Sequence, residues 1–314
     1  MRDRPDSFDE GLLGPALGAW GIEAGVLEYA PVGFGDYHWV ADGRWFITVA
    51  DVRRRGFDGL RLAMETAAAL REEAGLDFVV APLRATDGTT LLRLDRRRWA
   101  MSVFPFSDGV SGEFGQERTA EDRAAVIDLL AALHATPPPV TAPPRPLELS
   151  DRAGLEQALQ DSDPPWLGGP YAEPARELIA EHAGTLRRRL SEFDRMAADA
   201  GEPVVTHGEP HPGNLLRSGE RRLLVDWDTV GLAPPERDLW LVARDDDDLA
   251  RYADATGRTP SRAALELYRL RWALDDVAEC VALFRSPHGH TRDAEISWTA
   301  LTDTLGALAE RAAM

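Results

Sequence analysis

The chain has 314 residues, long enough for one large domain or two lobes, and its 44% apolar content excludes a disordered chain. Its 53 acids against 35 bases give a net charge of −18, which excludes a nucleic-acid surface and suits a small cationic substrate. No basic-then-apolar leader and no apolar run of about 18 residues occurs, so a cytoplasmic protein without a membrane partner is expected.

In chain order, residues 7–22 predict a short amphipathic helix with Leu13, Ala16, Leu17 and Trp20 on one side. Strand-like pieces follow from Gly25 to Val40, interrupted by the Gly33-Phe34-Gly35-Asp36 turn, and the Asp42-Gly43 pair predicts a hairpin into Trp45–Val49. Residues 57–74 carry apolar residues at helical spacing. Phe78–Ala85 and Thr89–Leu94 read as a hairpin around Asp87-Gly88, and Trp99–Phe106 reads as a further strand. Thr119 is placed to cap a helix ending at Ala135, and a proline-rich linker follows over 137–147. Helices are expected over 150–161, 172–199, 235–243, 261–285 and 293–312, with the acidic run Asp245–Asp248 as a solvated stretch. Cys280 is the single cysteine, so no intrachain disulfide is possible.

One stretch carries chemistry: HGEPHPGNLLRSGERRLLVDWD, residues 207–228. Val204 and Val205 predict a short buried strand leading into it, and Pro210, Pro212 and Gly213 break regular structure. Leu215-Leu216 and Leu223–Val225 form two arms about a Ser218-Gly219 turn, which brings Asp226 back beside the first loop. Glu209, Asn214 and Asp226 then converge at one end of a hairpin. Phosphoryl transfer uses such a set: a carboxylate to orient and deprotonate the attacking hydroxyl, and an amide oxygen with a second carboxylate to hold Mg²⁺ on the nucleotide phosphates.

The spacing H-G-x-x-x-x-x-N followed by V-D-W-D resembles the aminoglycoside phosphotransferase (choline-kinase-like) family. VDWD, APPERDL and LYRLRWALDDVA place it nearest the spectinomycin phosphotransferase branch. The resemblance implies an α+β, bilobal protein-kinase-like fold: a small antiparallel β lobe with one helix over 1–106, and a larger, mainly helical lobe over 107–314. It implies a phosphotransferase that uses ATP or GTP with Mg²⁺ on a small-molecule hydroxyl, with an aminoglycoside, aminocyclitol or amino-sugar acceptor. Glu209 would be the catalytic carboxylate, His207 the loop brace, and Asn214 and Asp226 the metal ligands. Gly33, Phe34, Gly35 and Asp36 would cover the phosphates through backbone amides. Val103, Phe104 and Phe106 would be the connector that meets the base. Asp228, Trp272, Asp275 and Asp276 are the candidate acceptor contacts, and Asp238 the acid that braces the catalytic loop.

The chain departs from the family at two positions. Glu209 stands where the catalytic Asp is usual, and Thr48 stands where the small lobe carries its lysine. All 35 bases are arginine, so no lysine elsewhere can substitute. Arg53, Arg54 and Arg55 could reach in or form a solvated loop. Glu65, the position of the lysine's partner, could be a plain surface acid. His134 reads as a structural group at a helix end. The alternative function is a degenerate kinase fold that binds a nucleotide or metabolite without transferring phosphate.

Overall fold

The computed structural model describes residues 1–5, 7–95, 98–161, 164–197 and 201–310, and only the backbone of 54 and 55. The N-terminal apolar stripe folds in three pieces: a 3-10 turn at Glu10–Leu12, α1 at Leu13–Leu17 and a second 3-10 turn at Gly18–Trp20. Leu13 and Leu17 are buried against the first sheet, as the stripe predicts.

That sheet contains β1 (Leu27–Ala30), β2 (Tyr37–Ala41), β3 (Trp45–Asp51), β4 (Leu92–Arg93) and β5 (Trp99–Pro105), in the antiparallel order β1-β2-β3-β5-β4. Alternation along the strands gives it two different faces. Trp39, Ile47, Val49, Met101 and Val103 point into an apolar core closed by Phe8, Leu13 and Leu17. His38, Thr48 and Ser102 are cross-strand partners and share the opposite face. The turn into β3 uses Asp42 at φ +50 and Gly43 at φ +63, and the Asp42 carboxylate accepts from the Gly25 and Val26 amides.

Asp51 caps the short α2 (Val52–Arg55), and its carboxylate pairs with Arg53 at 2.7 Å; the side chains of Arg54 and Arg55 lie outside the description. α3 spans Phe57–Glu72. The expected hairpin over 78–94 forms only at its turn, where Ala85 N bonds Thr89 O. The backbone before that turn pairs elsewhere: Val80 N with Leu224 O, Leu224 N with Phe78 O, and Leu83 N with Val103 O. Two other strands take its hydrogen-bonding groups, so Phe78–Ala85 is an extended connector and not a hairpin arm.

After β6 (Val110–Ser111), α4 (Ala120–Ala135) begins where Thr119 accepts from the Asp122 amide. It is followed by α5 (Arg152–Gln160), α6 (Ala172–Met196), β7 (Val204–Thr206), β8 (Leu215–Ser218), β9 (Arg221–Leu224), β10 (Gly231–Ala233) and α7 (Glu236–Val242). The run Asp245–Asp248 is not solvated throughout. Asp245 caps α8 (Asp246–Thr256), and Asp248 is buried and pairs with Arg123 of α4 at 2.6 Å. Three acids in its first turn also complement the helix dipole. α9 (Arg262–Arg285) and α10 (Arg292–Glu310) complete the described chain. No helix among the described residues is long and apolar enough to cross a membrane.

The chain divides into two compact units. One is Met1–Arg145 with Glu202–Pro260 and contains every described strand and the loop at 207–214. The other is Pro146–Gly201 with Ser261–Met314, where Leu155, Ile179, Leu186, Leu274, Phe284 and Leu301 form an apolar core among four helices.

Candidate active site

The loop leaves β7, which pairs with β10, and turns back into the β8–β9 hairpin through a 3-10 turn at Pro212–Asn214. The register pairs Leu215 with Leu224 and Ser218 with Arg221. Beyond it Val225 N donates to Asn214 O at 3.0 Å, which sets Asp226 beside Asn214. Asn214 Nδ2 donates to Glu209 O at 3.1 Å. The backbone at Glu209, Asn214 and Asp226 is therefore brought to one end of the hairpin.

The loop is held from beneath by one carboxylate. Asp238, on α7 and fully buried, accepts from His207 N at 2.8 Å and Gly208 N at 2.6 Å. Its third partner is His134 Nε2 at 3.0 Å, whose Nδ1 meets the Tyr252 hydroxyl of α8 at 2.9 Å. Burial opposes the charge on Asp238, but the bond from His134 and the nearby Arg237 hold its carboxyl below the usual range. His134 is thus a structural link between helices and the loop. Arg237 donates to Thr206 Oγ1 and Thr229 O, and Thr229 donates to His207 O. Gly208, at φ +103, lies against Arg237 so closely that a Cβ would stand 2.3 Å from the guanidinium.

His207 is fully buried, edge-on to Trp227 at 4.5 Å. Its Nε2 donates to Val225 O at 2.9 Å and its Nδ1 accepts from Glu209 N at 3.2 Å, a pattern only the neutral ring can make. Burial pushes its pKa down. His211 is pushed down to about 4, first by burial and then by His207 and Arg118. Its Nε2 is 3.9 Å from the half-buried Glu209 carboxylate.

Asp226 is exposed and has φ +65, a left-handed conformation that few residues other than glycine adopt. Such strain concentrates at functional positions. The donor set fits Mg²⁺, being an amide oxygen and a carboxylate, both hard ligands. The Nδ2 bond to Glu209 O fixes the Asn214 amide, so Oδ1 is the atom of this side chain that could take a cation. Asp228 is half-buried, and its backbone carbonyl accepts from Arg145 at 3.0 Å.

In the sheet, Gly33 and Gly35 lie in the β1–β2 turn at φ +70 and +103, with Phe34 exposed and Asp36 half-buried. Thr48 Oγ1 lies 3.2 Å from His38 Nδ1, and the His38 ring stacks on Phe46 at 4.9 Å. Burial pushes His38 down to about 3. Glu65 bonds Arg84 at 2.8 Å and accepts from Thr90 Oγ1 at 2.9 Å. Among the described residues Arg84, not an arginine after β3, is the cation that meets Glu65. Val103 points into the core, and its carbonyl is taken by Leu83 N; Phe104 is half-buried and Phe106 N bonds Arg44 O. A cleft of about 320 Å³ runs along Val79–Arg84 and Pro105–Ser107, lined by Phe106 and Arg84 and by none of Glu209, Asn214 or Asp226.

Three candidates lie in the other unit, on α9. Asp275 accepts from the Ser150 amide at 2.8 Å and its hydroxyl at 3.0 Å, and from Arg271 at 3.1 Å; burial raises its pKa. Trp272 and Asp276 are half-buried. Sequence reasoning missed His38, Arg84, Thr229, Arg237, His211 and Tyr252. The second histidine of HGEPHPGN and the arginine of APPERDL were visible signals for two of them. His38 faces Thr48 across the DG hairpin, ten residues away, and Arg84, Thr229 and Tyr252 are brought in by pairings more remote in sequence.

The sequence profile described as the phosphotransferase enzyme family matches residues 38–273. The chain belongs to the phosphotransferase enzyme family. Protein StrN of Streptomyces griseus is 29% identical over 288 residues, covering 88% of this chain and 85% of StrN. Among solved phosphotransferase folds, a spectinomycin phosphotransferase in complex with ADP and spectinomycin superposes with a TM-score of 0.73 at 15% identity, over 96% of this chain and 98% of that one. A microcompartment-associated aminopropanol kinase gives 0.63 at 16% identity, over 97% and 98%. These likenesses establish the α+β protein-kinase-like fold of this phosphotransferase-family chain.

Two outcomes follow, one from the loop and one from the buried histidines of the loop and the sheet. Gly208→Ala meets both the guanidinium of Arg237 and a left-handed backbone, so it is expected to cost at least about 1–3 kcal/mol in urea unfolding. Stability is also expected to fall with acidification. The folded chain holds His38, His207 and His211 neutral, whereas the unfolded chain protonates them near the ordinary 6.5. Below that pH the unfolded state binds more protons. The stabilisation is complete above about pH 6.5 and is lost as pH drops toward the folded values, by up to roughly 1.4 kcal/mol per pH unit per histidine. Urea midpoints between pH 7 and 5 measure it, and His211→Asn should flatten the slope.

Proposed function

We propose that this chain is a nucleotide- and Mg²⁺-dependent kinase of a small-molecule hydroxyl, with ATP or GTP as donor and an aminocyclitol or amino-sugar metabolite as acceptor. The convergence of Glu209, Asn214 and Asp226 on one braced hairpin end carries the reading. Family membership and the spectinomycin-binding and aminopropanol-phosphorylating relatives support it.

In this reading Asn214 Oδ1 and Asp226 hold Mg²⁺, which supplies neutralising charge to the phosphate oxygens when bound. Glu209 orients the acceptor hydroxyl and takes its proton as the new O–P bond forms and the nucleoside diphosphate leaves. His207, neutral and locked between Val225 O and Glu209 N, sets where the Glu209 backbone stands. Asp238 holds two consecutive amides of the same loop, so the carboxylate works from a fixed base. The absence of lysine leaves the small-lobe phosphate contacts to backbone amides of Gly33–Asp36 or to arginine.

Glu209 is one methylene longer than the usual Asp, a displacement of about 1.5 Å on the scale of one C–C bond. Positioning errors of about 1 Å cost roughly 10²-fold. In a site adapted to Glu, Glu209→Asp is expected to lower acceptor-dependent turnover by about that factor. Glu209→Gln should lower it by roughly 10²–10⁴. Equal turnover in the parent and Glu209→Gln would remove Glu209 from the mechanism and make Asp228 the next carboxylate to test. Nucleotide binding without turnover across an aminocyclitol and amino-sugar panel would instead favour the non-transferring binder, a reading that Thr48 beside His38 and Glu65 on Arg84 makes specific.

Asp226→Ala is expected to abolish the Mg²⁺-dependent part of nucleotide affinity in calorimetric titrations with and without the metal. An unchanged metal dependence sinks the ligand assignment.

A further inference from the structure

A pocket of about 120 Å³ lies beside the catalytic loop. Arg118, Arg123, Arg244 and His211 line it with Phe114 and Trp240, and none of its lining residues is acidic. In a chain of 53 acids and 35 bases this is a local inversion of charge. Only Arg123 is neutralised there, by Asp245 at 2.7 Å and Asp248 at 2.6 Å. Arg118 donates one bond, to Pro210 O at 2.8 Å, and its Nε is buried without a partner. Asp122, the acid that acts on it, is already bonded by Arg217 and Arg222. Arg244 is exposed, and among the described residues its side chain has no hydrogen bond or ion pair. His211 Nδ1 is buried without a partner, behind the exposed ring of Phe114, which lies edge-on at 5.1 Å.

These groups work against one another. Burial, then Arg244, pushes Arg118 down to about 10. The two guanidiniums of Arg118 and Arg244 beside a small cavity, with the Arg118 Nε–H buried and unpaired, cost free energy that a bound oxyanion offsets. A guanidinium fork matches such an anion in two-point geometry. The volume admits a group of phosphate size, and a larger molecule can place such a group there as a phosphate arm.

We propose that this pocket is an oxyanion subsite that takes a phosphate group through Arg118, Arg244 and His211. The phosphate is either free or carried as a monoester on a small molecule. His211 Nε2 lies 3.9 Å from the Glu209 carboxylate, so a molecule anchored there lies next to the catalytic loop. The subsite stands apart from the acidic-chain argument for a cationic acceptor, and its binding is measurable without turnover.

The test is calorimetric titration of inorganic phosphate into the full chain without metal or nucleotide. Saturable binding is expected. Arg118→Gln and Arg244→Gln should each weaken it roughly ten- to a hundredfold, the scale of one charge-assisted hydrogen bond. Arg251→Gln, exposed on α8 and outside the pocket, should leave it unchanged. Because Arg118 also holds Pro210, the Arg244 variant is the arm that no misfolding of the loop can mimic. No saturable binding, or equal affinity in the parent and Arg244→Gln, overturns the proposal. A hexosamine phosphate monoester then distinguishes the sources. Tighter binding than inorganic phosphate, lost in the same two variants, assigns the group to the acceptor; weaker binding assigns free phosphate.

Discussion

The buried carboxylate of Asp238 is the constraint on which the site depends. It lies at full burial with three donors around it: two consecutive loop amides and one imidazole. A charge in that position is tolerable only while all its donors are present. His134 must therefore stay on α4, Tyr252 on α8 must orient His134, and Gly208 must keep the turn that points its amide downward. The loop geometry and the packing of three helices are one requirement. The proposed chemistry at Glu209 inherits its precision from groups that never touch a substrate.

The small sheet shows a different kind of adjustment. The position that resembles the family's lysine is Thr48, and its neighbour is a half-buried histidine held neutral. Glu65 has turned to Arg84 and Thr90. Each polar group is satisfied, so the replacement is a coherent local network and not a lysine site with its lysine deleted. In the proposed reaction, phosphate oxygens would meet backbone amides or arginine at this sheet, and arginine cannot lose its charge at physiological pH.

Charge is distributed with similar economy. Many acids of this chain are paired with arginines, among them Asp51, Asp122, Asp194 and Asp248. Exposed pairs of this kind contribute little to stability. Against that background the arginines lining the pocket beside His211, which holds no acid, carry the proposed phosphate subsite.

The residues alone determined the local parts: the amphipathic helices, the DG turn, the Thr119 cap, and the hairpin that returns Asp226 beside Asn214. These depend on neighbours a few positions apart, where turn chemistry and periodicity act directly. They also made the family resemblance visible, because its spacing is confined to one loop and hairpin. Only the tertiary structure decided the rest. Phe78–Ala85 gave its hydrogen bonds to β9 and β5 and not to the segment after its own turn, because those strand edges lay closer in space. Asp248 became a buried partner of Arg123, 125 residues away, where the sequence shows four acids in a row. Whether Glu65 meets an arginine depends on where the connector over Phe78–Ala85 runs, and whether His134 holds a loop or faces solvent depends on which helices pack together. That packing follows from burying apolar surface across the whole chain, and no short window of residues contains it.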